Sequence, residues 1–315
     1  MRQHGPSPGK TRGVRHWIKA LVAIAASLTA LATLVPTYIY LVSEAVIQRR
    51  YPLESATVHA ELTSRQILRG AHLIVIAGCT ACHGPGLEGR MMHADLPLQL
   101  YAGNLLRFAR TMSDGELERA IRYASRPDAT SLWGMPSGNF AYLSEDDVAS
   151  IISYLRSRPP AGVALPAPQF DFAARVSLLR GAIKPAFLIA ADSPPSLDLG
   201  PRYGGGRYLA RIACAECHGT DLQGQGGSPD LAVVSLYNRS AFFALLRQGR
   251  GASGRIVPAM RSLARIRFHT FADYEILALY EYLIARAHAP RDIVVRAEAL
   301  RRHEESEKLR GRTEQ

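Results

Sequence analysis

The sequence predicts an all-α protein, with one membrane-spanning helix at the N-terminus followed by two small helical domains in tandem. Three observations predict it. An uncharged apolar run covers residues 20–42. Further along, apolar residues recur three and four apart, the spacing of a helix with one buried face. A plan of helix, Cys-x-x-Cys-His, loop, helix, methionine and helix then occurs twice.

The apolar run comes first. A helix of a little over ~20 residues spans a hydrocarbon core of about 30 Å. Arg2, Lys10, Arg12, Arg15 and Lys19 precede the run, while Glu44 partly offsets Arg49 and Arg50 after it. That asymmetry places residues 1–19 in the cytoplasm and the rest of the chain beyond the bacterial inner membrane, in the periplasm. Trp17, Tyr38 and Tyr40 suit the two interfacial belts. Pro36 lies within the run, as membrane helices tolerate. Ala30-Leu31-Ala32 resembles a signal-peptide cleavage site, but the apolar run continues past it to Val42. An uncleaved single-pass anchor is the expectation.

All four cysteines fall in Cys79-Thr80-Ala81-Cys82-His83 and Cys214-Ala215-Glu216-Cys217-His218. Cys-x-x-Cys-His is the attachment signature of c-type haem. Residues three apart share a helix face, so both sulfurs can meet one edge of a porphyrin, with the histidine beneath the iron. A zinc ribbon would bring its cysteine pairs within about 20 residues of each other. A thioredoxin-like redox pair needs a βαβ context, and disulfides need no histidine after each pair. Two covalent haems, on Cys79 with Cys82 and on Cys214 with Cys217, are therefore expected, with His83 and His218 as axial ligands.

The repeat extends beyond the motifs. Ile67 to Leu73 leads into the first and Gly206 to Ala210 into the second, and a glycine-rich loop follows each histidine. Leu96-Pro97-Leu98 then corresponds to Pro229-Asp230-Leu231, and the middle helix around Leu117–Arg122 to that around Phe242–Arg247. The final helices open on Ser144-Glu145-Asp146-Asp147 and Phe271-Ala272-Asp273-Tyr274-Glu275, the first with an N-cap serine and acids in its first turn. Val148, Ile151, Ile152 and Leu155 continue one; Ile276, Leu279, Tyr280 and Leu283 continue the other.

With these residues the chain resembles the cytochrome c superfamily, specifically membrane-anchored proteins with two tandem class I-like cytochrome c domains. The resemblance covers residues 62–158 and 200–286. It implies that the first and last helices of each domain cross and that haem fills the core, supplying buried surface that so small a domain lacks. Residues 159–199 read as a linker whose apolar part, 170–189, packs against one or both haem domains. Residues 287–315 form a charged tail.

The resemblance also implies a methionine opposite each histidine. Met260 is the one methionine of the second domain. Met91, Met92, Met112 and Met135 compete in the first, and Met135 is favoured because it stands as far from Arg122 as Met260 does from Arg247. His72, His93 and His269 are the alternative ligands, and each reads better as surface or packing. A proline carbonyl should accept the proximal imidazole N–H, the role that Pro97 and Pro229 match.

A sulfur and an imidazole on both irons leave no open position, which argues for electron transfer without bond chemistry at the haem. The leading expectation is an electron carrier between a dehydrogenase or quinol-oxidising complex and a terminal acceptor in the respiratory chain. The alternative is the cytochrome subunit of an alcohol- or aldehyde-type dehydrogenase complex. A dihaem enzyme, such as a peroxidase or thiosulfate dehydrogenase, ranks below both. The formal charge of +11 comes almost wholly from arginine. It suits acidic docking faces on redox partners, and no nucleic-acid motif accompanies it.

Overall fold

The computed structural model describes residues 10–93 and 98–290. Arg2, Pro97 and the tail 291–315 lie outside the described residues. Helices dominate, and strand is confined to short segments among the described residues. The chain divides into two compact units. One is the described part of Met1–Gln48 with Phe170–Ile183; the other is Arg49–Gln169 with the described part of Lys184–Gln315.

The first unit is built on α1 (Lys10–Ile47), 38 residues running unbroken through Pro36. The helix is longer than the apolar run itself, and its segment His16–Ile47 is long and apolar enough to cross a membrane, with a mean hydropathy of 2.1 over an 18-residue window. Its Thr29, Thr33 and Thr37 hydroxyls donate to carbonyls four residues back at 2.9, 3.1 and 2.8 Å. Those polar groups therefore need no water. Against α1 packs α8 (Phe172–Leu179), whose N-cap Asp171 accepts from the Ala174 N–H at 2.8 Å. Arg175 on α8 donates to Ser43 Oγ and Glu44 Oε2, both at 2.9 Å, and lies 4.1 Å over the Tyr40 ring. The 170–189 stretch thus splits. Its first helix joins α1, while α9 (Ala186–Ala191) belongs to the second unit, where Phe187 stacks on Tyr51 at 4.4 Å.

The second unit holds both copies of the repeat. In the first, α2 (Ser64–Ile76) crosses α7 (Glu145–Ser157). Thr63 and Ser144 cap them, accepting from the Gln66 and Asp147 N–H groups. Leu73, Ile74, Val148, Ile152 and Leu155 fill the crossing. In the second, α10 (Gly204–Ala213) crosses α14 (Asp273–Ala287) over Leu209, Ile212, Ile276, Leu279 and Leu283. A glycine stands at each crossing. A Cβ on Gly70 would lie 1.9 Å from the Ser150 carbonyl oxygen, and one on Gly206 would lie 2.1 Å from that of Ala278.

The middle helices are α5 (Asp114–Tyr123), closed by a Ser113–Glu116 capping box, and α12 (Arg239–Gln248), capped by Asn238. The copies differ after the motif histidine. The first inserts an antiparallel pair, β1 (Arg90–His93) with β2 (Leu98–Ala102), where the sequence suggested only loop.

The two crossings meet through polar side chains. Arg69 on α2 forms a two-pronged pair with Asp147 at 2.8 and 2.9 Å, and Tyr208 on α10 donates to the same carboxylate at 2.6 Å. His72 reaches Glu275 on α14 at 2.9 Å. Both carboxylates are buried, so the partners offset a large desolvation cost.

Candidate haem-attachment sites

Each motif begins where a long helix stops. Helix α2 ends at Ile76, Gly78 turns the chain at φ +78°, and α3 (Cys79–His83) carries the first motif. Helix α10 ends at Ala213, and α11 (Ala215–His218) carries the rest of the second. One helical turn therefore separates the sulfurs within each pair, as attachment along one porphyrin edge requires. No disulfide joins any of the four cysteines. Burial pushes the Cys79 thiol up to about 11 and the Cys214 thiol up to about 12, with the Arg267 charge opposing the rise at both.

Both histidines are held through the same ring nitrogen. His83 Nδ1 lies 2.7 Å from the Gly103 carbonyl oxygen, and His218 Nδ1 lies 2.8 Å from that of Pro229. A carbonyl only accepts, so Nδ1 carries the proton in each ring and Nε2 keeps its lone pair for a metal. Burial holds His83 below the usual imidazole range, against the upward pull of the Gly103 hydrogen bond. Two thiols and one oriented imidazole per motif fit a covalently attached haem.

The carbonyl at Pro229 takes the role read for it from the sequence. For His83 the Gly103 carbonyl supplies the acceptor, while Pro97 lies outside the described residues. The true correspondence is Gly103-Asn104-Leu105 with Pro229-Asp230-Leu231. The Leu105 N–H donates to the Leu87 carbonyl at 3.0 Å, and the Leu231 N–H donates to that of Leu222 at 2.9 Å. Asn104 caps α4 (Leu105–Thr111), and Asp230 caps the short 3-10 helix Leu231–Leu236. The β1–β2 insertion places the acceptor 20 positions after His83, against 11 after His218, and this hid the match.

A longer motif also emerges. His-Gly-x-x-Leu-x-Gly occurs at 83–89 and at 218–224. Gly84 and Gly219 take φ +85° and +82°, and the buried Leu87 and Leu222 take +67° and +64°. A left-handed leucine costs about 1–2 kcal/mol, offset here by burying the side chain. Gly89 and Gly224 then donate back to the His83 and His218 carbonyls, both at 2.8 Å. The same loop closes under each histidine.

Met135 sits in the turn before α6 (Ser137–Phe140), after Gly134 at φ +74°, and Met260 sits in the first turn of α13 (Pro258–Ile266). Both are half-buried against the apolar core. Met112 also packs there, whereas Met91 is exposed on β1. His72 is engaged by Glu275, His269 is exposed, and the His93 side chain lies outside the described residues.

No family model matches the chain. It is similar to the fructose dehydrogenase cytochrome subunit of Gluconobacter japonicus, 26% identical over 273 residues, which covers 75% of this chain and 55% of that protein. The likeness supports a cytochrome c. The chain spans about half the length of that relative, and the shared stretch accords with the all-α fold and a role in electron transfer.

Proposed function

We propose that this protein is a membrane-anchored dihaem c-type cytochrome, transferring electrons in the periplasm between a dehydrogenase or quinol-oxidising complex and a terminal acceptor. One observation carries the reading. Each of two Cys-x-x-Cys-His motifs presents its histidine with Nδ1 tied to a carbonyl and Nε2 free, at 2.7 Å for His83 and 2.8 Å for His218. Haem c, when bound, supplies a one-electron iron couple. Cys79, Cys82, Cys214 and Cys217 hold it covalently, while the Gly103 and Pro229 carbonyls fix the ring planes of His83 and His218 and raise their basicity. Met135 and Met260, half-buried against the core, would each offer a thioether to a haem iron, which would raise its potential.

Helix α1 is the anchor, with the N-terminus cytoplasmic. It confines the haem domains, residues 62–158 and 200–286, to the membrane surface and raises their effective concentration at membrane-bound partners. Pyridine haemochrome spectra set against protein mass should give two haems per chain, resistant to extraction into acidified solvent. Extractable haem would overturn the reading.

A second reading is favoured by the comparison: the relative is itself the cytochrome subunit of a dehydrogenase. Here the chain would be the fixed electron-accepting subunit of such a complex. Mild detergent extraction separates the two. Stoichiometric co-purification with a dehydrogenase subunit supports the complex, and a chain that purifies alone and exchanges electrons in solution supports the carrier.

A further inference from the structure

Arg267 is among the most buried charges in the second unit, with 4% of its side chain exposed. Its fork bridges the two copies of the repeat. Nη2 and Nε donate to the Ile76 carbonyl at 2.8 and 3.3 Å, at the C-terminal end of the helix leading into the first motif. Nη1 donates to Glu216 Oε2 at 3.0 Å, and Glu216 is the residue between Ala215 and Cys217 in the second motif. The guanidinium plane lies so close over Gly78, the residue before Cys79, that a Cβ there would stand 2.6 Å from Cζ. A cation at the end of α2 also meets the negative pole of that helix.

Resting on the dihaem reading, we infer that Arg267 is a positioning residue shared by both haem sites, a fixed cation that locks the two attachment motifs against each other and raises both reduction potentials together. Arginine suits the task because it stays protonated at any working pH and its planar fork can hold two acceptors at once. A positive charge held in a poorly screened interior stabilises the reduced, less positive iron at each site. Lysine could supply the charge but not the fork. Glu216 moderates the effect, since removing its carboxylate leaves the arginine charge uncompensated.

The test is a spectroelectrochemical titration of the purified full-length protein, in variants whose haem content is first measured. Arg267→Leu should lower both midpoint potentials. Arg267→Lys should keep both near the wild-type values while lowering the thermal midpoint. Glu216→Gln should raise both, including the first site, to whose motif Glu216 does not belong. The exposed Arg65→Leu, at the far end of α2, should move neither. Two haems with only one potential moved, or none, in Arg267→Leu would overturn the inference. If that variant does not fold, Glu216→Gln decides, and an unchanged first potential overturns it. Wild-type protein with fewer than two haems would instead reject the dihaem reading beneath it.

Discussion

Gly206 lies so close to Ala278 that a Cβ on the glycine would stand 2.1 Å from the alanine carbonyl oxygen, and 2.6 Å from Tyr282 Cβ. Gly70 repeats the arrangement, at 1.9 Å from the Ser150 oxygen and 2.8 Å from Tyr154 Cβ. In both copies the helix before the motif and the last helix touch through backbone. The positions of α3 and α11 follow from these two contacts, because each motif begins at the end of the crossing helix.

Gly206→Ala should therefore destabilise the fold by about 1–3 kcal/mol, the usual cost of overpacking, and Gly206→Val by more. Chemical denaturation followed by far-ultraviolet circular dichroism measures this. An alanine variant with an unchanged midpoint would show that the helices can separate at no cost.

Acid should loosen the contact between the two copies. Burial pushes Glu275 upward, but the hydrogen bonds from His72 and the Ala272 N–H, with the His72 and Arg69 charges, outweigh it and hold the carboxyl below its ordinary value. A depressed carboxyl contributes stability that is present above the unfolded-state value of about 4.5 and is lost as pH falls through the folded value. Thermal midpoints measured from pH 7 downward should fall below that range. Glu275→Gln should flatten this acid limb and lower the neutral-pH midpoint.

Cys214→Ala with Cys217→Ala should leave one covalent haem per chain, held at the first motif. Pyridine haemochrome stoichiometry gives the count. Retention of two would place an attachment outside the motifs.

Thioether ligation gives ferric haem a weak long-wavelength charge-transfer band. Met135→His and Met260→His should each remove about half of that band and lower one potential, since imidazole favours ferric iron more than a thioether does. Reduced wild-type protein should bind carbon monoxide slowly. Fast binding together with a band unmoved by Met135→His would assign the first iron a different ligand.

Full-length protein should stay in the membrane fraction through salt and carbonate washes. Replacing the residues before Arg49 with a cleavable signal peptide should release a soluble protein. A soluble mature chain beginning near Thr33 would show that the apolar run is processed.

Much of this protein is determined over short stretches of sequence. The Cys-x-x-Cys-His spacing sets the sulfurs on one helical turn, the uncharged run sets α1, and the three-and-four periodicity sets α7, with its N-cap Ser144, and α14. Each follows from local geometry, which a sequence displays directly. Tertiary structure decided what depends on residues far apart in the chain. It made the Gly103 carbonyl the acceptor of the His83 N–H, because an inserted β-pair moved the acceptor along the chain. Arg175 drew one part of the 170–189 stretch to α1, while Phe187 took the other part to Tyr51. Arg267 went to Ile76, 191 residues away. A buried guanidinium must satisfy its donors wherever carbonyls and carboxylates converge, and only the folded chain brings that set together.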